Sequence, residues 1–215
     1  MTDDMDTEQL TLTIATGVAM LMFLPVLPQF VNMYPKLWTG MFRTATCIRI
    51  EDSKKVQRSR DLLFWLGLPA LITLVWKSGL YSPGWMTGLN APLSLAAVAG
   101  VITGYGLLRA SLSHILPFRR FSSKVHETAV GCPKNFWLLL VSVLFISAVT
   151  LGFCKLPDNT AHIITLCLTG ALYLLFLIRR FQIFAYDSNY LTAILYLCAL
   201  EILPTALLVT SAVVF

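Results

Sequence analysis

Glu201 is the residue best placed to do chemistry in this chain. It stands alone near the middle of an apolar run, Tyr190 to Val213, that reads YLTAILYLCALEILPTALLVTSAV. Pro204 follows three residues later. A carboxylate deep in a bilayer-crossing helix costs on the order of 3 kcal/mol on insertion scales, so it must face protein or water rather than lipid. Two states meet that demand. A protonated carboxyl donates to a neighbouring acceptor, such as the Leu200 carbonyl that loses its helical donor to the proline. An ionised carboxylate sits beside water or a partner group. Such a carboxyl can carry a proton in a transporter or serve as a hydrogen-bonding contact between helices. Thr103 and Thr169, at comparable depth on other apolar runs, are the expected polar neighbours.

Other residues point to binding rather than catalysis. Ala96, Gly100 and Gly104 recur at four-residue spacing, a ladder that lets two helix backbones approach closely. The expected counterpart is another helix of the same chain, with a second subunit as the alternative. Arg119, Arg120, Arg179 and Arg180 are candidate headgroup contacts, the last two together with Asp187. Arginines snorkelling from helix ends would account for the same pattern. His114, His126 and His162 are too scattered for a metal-ligand set, and the five cysteines contain no CxxC pair. No nucleotide-binding, hydrolase or metalloprotease motif stands where it could work. Neither a metal, a cofactor nor a catalytic residue is expected.

These residues are carried by six apolar blocks, at about 10–33, 62–81, 91–108, 136–154, 161–178 and 190–213. Each approaches the ~20 residues that a membrane-crossing helix requires. A bilayer tolerates no open sheet edge, so the blocks are helices. The gaps alternate in charge. Residues 34–61 hold seven Lys and Arg, residues 109–135 hold five, and Arg179 and Arg180 fill the third; the other side has only Lys77 and Lys155. Cytoplasmic loops carry the excess of Lys and Arg. The expected fold is therefore all-α: one polytopic bundle over 1–215, six transmembrane helices, both termini outside, and 34–61 and 109–135 as basic cytoplasmic loops. Either long loop could hold an interfacial helix. Cys47 and Cys132 would then lie inside and Cys154 outside. The net charge of +5 is spread over these gaps, so it signals the bilayer and not a nucleic acid.

The C-terminal segment that begins RRFQIFAYDSNYLTAILYLCALEILP at Arg179 and runs to about Leu208 resembles the closing motif of an uncharacterised Bacteroidetes family of small multi-pass membrane proteins. Its members end in a YLCxLEILP-like helix after a short basic turn. The resemblance implies an inner-membrane protein of a Gram-negative bacterium and places Glu201 and Pro204 in the motif. The family is a domain of unknown function, so it supplies neither activity nor substrate.

Three functions are open to such a chain. The first is a non-enzymatic subunit of a cell-envelope assembly, with a membrane-protein partner or a second copy of itself. The second is a small proton-coupled transporter or channel-like protein using Glu201. The third, with least behind it, is a lipid-modifying enzyme.

Overall fold

The structure, a computed structural model, describes residues 2–42, 53–115, 123–154, 157–187 and 189–214. All regular elements among them are helical: α1 (Thr2–Phe23), α2 (Leu27–Phe42), α3 (Lys54–Lys77), α4 (Ala91–Ile115), α5 (Ser123–Cys154), α6 (Asp158–Asp187), α7 (Tyr190–Leu197) and α8 (Leu203–Val214), with short 3-10 turns at Leu24–Val26 and Gly84–Met86. A π-helical turn, Cys198–Ile202, joins α7 to α8. Five stretches are long and apolar enough to cross a membrane: α3, α4, α5, α6 and the continuous run Tyr190–Val213. The broken pair α1–α2 makes a sixth if it is one span. The chain is a polytopic all-α membrane bundle.

The first block departs from expectation. It is not one helix over 10–33 but two segments meeting at 80° across Leu24–Val26. Pro25 and Pro28 explain the break, since each removes a backbone donor and crowds the preceding turn. After the bend, α2 buries Met33, Leu37 and Gly40 and leaves Lys36, Trp38 and Thr39 exposed. That three-to-four-residue spacing makes it amphipathic. Its inner side packs on α3, α5 and α6.

The helices also run further into the charged gaps than apolar length alone suggests. α3 begins at Lys54 rather than 62, α4 runs to Ile115 rather than 108, α5 starts at Ser123 rather than 136, and α6 reaches Asp187 rather than 178. The expected loop 109–135 is thus largely helical. Hydropathy marks where lipid stops, whereas a helix continues until its backbone meets a breaker. Cys47, Arg119 and Arg120 lie outside the described residues.

Packing centres on α5, the most buried of the spans, with α3 on one side and α6 on the other. Leu63, Phe136, Leu138, Leu139, Phe176 and Phe184 form its main core. Between lipid-soaked helices such contacts, rather than the hydrophobic effect, hold the bundle. At one end, Lys134 Nζ donates to Asp61 Oδ1 at 2.9 Å and ties α5 to α3. At the other end α3 closes on Gly79, whose φ of 65° is the left-handed conformation that glycine adopts without strain. There His162 Nδ1 lies 3.0 Å from the Ser78 carbonyl, which can only accept, so this nitrogen carries the proton.

Consecutive spans place Lys55 and Cys154 at opposite faces of the membrane. Cys154 is exposed at the end of α5 and Cys132 is buried within it. An impermeant thiol reagent applied to intact cells is expected to label Cys154 and not a Lys55→Cys variant, with Cys132 silent until the protein unfolds. Labelling of both positions from one side would break the alternation.

Candidate functional site

The site begins with a local departure from α-geometry. Pro204 has no N–H to offer the Leu200 carbonyl. In the turn just before it, the Leu203 N–H reaches back to the Cys198 carbonyl, a span of five residues, which is the π-helical bond. Within this turn Leu200 and Glu201 are both buried. π-turns inside α-helices recur at functional sites.

Glu201 meets two arginines there. Arg109 Nη2 of α4 and Arg180 Nη1 of α6 both pair with Glu201 Oε1. The carboxylate is fully buried, and the side chains of Arg180 and Arg109 are 4% and 12% exposed. The Tyr173 hydroxyl, also on α6, donates to the Glu201 carbonyl at 3.2 Å. Tyr105 on α4 and Thr205 on α8 share a hydroxyl hydrogen bond of 3.2 Å. The Phe176 ring lies 5.4 Å from the Arg109 guanidinium carbon and 5.9 Å from that of Arg180, and Phe184 lies 5.4 Å from the latter. Three helices therefore converge on one oxygen, with aromatic faces against the cations. A desolvated cation–π contact is worth about 2 kcal/mol, less than the several kcal/mol that burying one ion costs. The ion pairs must do the larger part of the compensation.

Of the two states open to Glu201, the structure shows the partnered one, and the partners are basic. The sequence places Arg109 and Arg179 at helix ends and expects no basic residue at the depth of Glu201. That expectation fails because α4 and α6 continue beyond the apolar blocks. Arg109 lies six residues inside the end of α4 and Arg180 seven inside the end of α6. From there a guanidinium on its flexible stem reaches inward as readily as outward.

The remaining expected site residues are placed differently. Thr103 Oγ1 bonds the Ala99 and Gly100 carbonyls of its own helix, and Thr169 Oγ1 the Thr165 carbonyl of its own. Neither is hydrogen-bonded to Glu201. Ala96, Gly100 and Gly104 are exposed along α4, and a Cβ built on either glycine meets nothing within 4 Å. Among the described residues the ladder does not pack on another helix, because the inward stripe of α4 runs through Val98, Ile102, Tyr105 and Arg109. Arg179 bonds Gln182 one turn along α6, and Pro204 is buried beside the π-turn. Sequence reasoning missed Arg109, Tyr105, Tyr173, Phe176 and Phe184. The four-residue spacing of Tyr105 with Arg109, and of Phe176 with Arg180 and Phe184, was the available signal.

The chain matches no protein-family model, no curated protein and no solved structure.

Removing one member of a buried ion cluster strands the others. Glu201→Gln leaves two facing guanidiniums uncompensated and is expected to destabilise the folded bundle by about 3–5 kcal/mol. Arg109→Gln leaves the Arg180–Glu201 pair and should cost only ~1.5–3 kcal/mol. Unfolding in mild detergent ranks the two, and equal or negligible losses would mean that the cluster contributes little.

Proposed function

We propose that the chain is a non-enzymatic integral subunit of an envelope assembly in the inner membrane of a Gram-negative cell. Its basic ends face the cytoplasm and both termini lie outside. The observation that carries this reading is the pairing of Glu201 with Arg109 and Arg180, which uses the one mid-span acid to fasten α4, α6 and the α7–α8 helix together. A second observation supports a partner. The small-residue stripe Ala96, Gly100, Gly104 faces away from the chain's own helices, on the least buried of the spans. A second helix, from another protein or another copy, would approach closely there. The cytoplasmic assignment rests on the charge count, with fourteen of the sixteen Lys and Arg on one face.

A proton-coupled transporter is the alternative. It would need Glu201 to leave both guanidiniums as it takes up a proton. The π-turn favours this reading as far as it allows a helix to shift register. A lipid-modifying enzyme would need a reacting acid or base, and Glu201 is already committed to its partners.

Affinity purification of the tagged chain in mild detergent separates these readings. For a subunit, a partner or second copy should co-purify in fixed ratio. A Gly100→Leu, Gly104→Leu double variant should lose it while keeping the thermal stability of the chain, since both positions open onto free space. If the variant retains every partner, and Glu201→Gln folds normally but abolishes a proton-dependent flux in reconstituted vesicles, the transporter reading replaces this one.

A further inference from the structure

The charges of the buried cluster do not balance. Two guanidiniums face one carboxylate, and among the described residues no other acid is ion-paired to Arg109 or Arg180. Arg179 adds a third guanidinium one residue away, occupied with Gln182. Within the cluster, Arg180 Nε is buried and has no hydrogen-bond partner. Glu201 Oε2 is likewise buried and without a hydrogen-bond partner. Phe176 and Phe184 wall the cations from one side. Arg109, the more open guanidinium, lies on α4, six residues from its basic end at Ile115.

We propose that Arg109 and Arg180 form a binding site for a phosphate-bearing anion that enters from the basic face of the membrane and supplies the missing negative charge. The planar guanidinium fork matches phosphate oxygens in shape and charge. The end of α4 at Ile115 lies about 9 Å along the helix from Arg109 at 1.5 Å per residue, and lipid headgroup phosphates are one source of such an anion. A free phosphate has the same recognition chemistry. The proposal is independent of any partner subunit.

The test uses delipidated full-length protein in neutral detergent. Thermal unfolding and native mass spectrometry are followed with phosphatidylglycerol, phosphatidylcholine or inorganic phosphate. Phosphatidylglycerol should raise the unfolding midpoint by several degrees and leave one bound lipid, with phosphatidylcholine at least tenfold weaker. Inorganic phosphate acting alone would name the free ion as an accepted ligand; if it is inert, the ligand is the lipid. R109K, which keeps the charge but loses the fork, should weaken binding about tenfold. The triple variant K36Q/K54Q/K55Q, at exposed positions on α2 and α3 rather than on the helices that carry the cluster, should bind like the wild type. Should R109K not be recovered folded, the wild-type and triple-variant arms decide alone. Failure of both phosphate sources, equal binding of phosphatidylcholine, unchanged binding by R109K, or loss of binding in the triple variant each overturns the proposal.

Discussion

A carboxylate in the middle of a lipid-facing helix cannot be left to itself, and that constraint shapes the second half of this protein. Glu201 is fully buried and takes its counter-charges from two other helices. α4, α6 and the α7–α8 helix must therefore sit at one relative height. Apolar packing alone would leave their axial register loosely defined, because lipid tails compete equally well for a leucine. A buried ionic contact is a poor source of net stability but can fix one arrangement over its neighbours, as polar core residues fix register in coiled coils.

The π-turn and the proline belong to the same device. Pro204 leaves its helix short of a donor, and the extra residue in the turn at Cys198–Ile202, which contains the buried Glu201, absorbs that defect. Tyr173 then caps the Glu201 carbonyl from α6. The irregular turn is thus in contact with a polar group of a neighbouring helix and carries buried residues, the setting in which a bilayer tolerates such backbone. Phe176 serves both arginines at once and stacks on Phe136 of α5 at 4.6 Å, which connects the ionic cluster to the main apolar core.

Much of the fold was legible in the sequence because lipid imposes simple length and polarity rules. The apolar blocks and the alternation of charge identified a multi-pass helical bundle, and the isolation of Glu201 marked the residue at which helices converge. What was not legible came from treating the edge of hydropathy as the edge of the helix. Arg109 was assigned to a loop end, yet it is an interior residue of α4, and Arg180 pairs with Glu201 within the bundle. Side-chain direction cannot be read from composition, since an arginine stem permits either course. The counterpart expected within the chain for the glycine ladder is not found among the described residues, because which face of α4 turns inward depends on where Arg109 and Tyr105 must point. The bend in the first block was signalled by Pro25 and Pro28, although its 80° angle was not.

The account rests on Glu201 and Arg180 being coupled within the membrane, and a double-mutant cycle between Glu201→Gln and Arg180→Gln measures that coupling directly. Stability of the four proteins in one detergent is the readout. The structure predicts that the double variant is much less damaged than the sum of the singles, with a coupling of about 1–3 kcal/mol. Strict additivity would contradict it and would mean that the acid and the arginine keep their places for unrelated reasons.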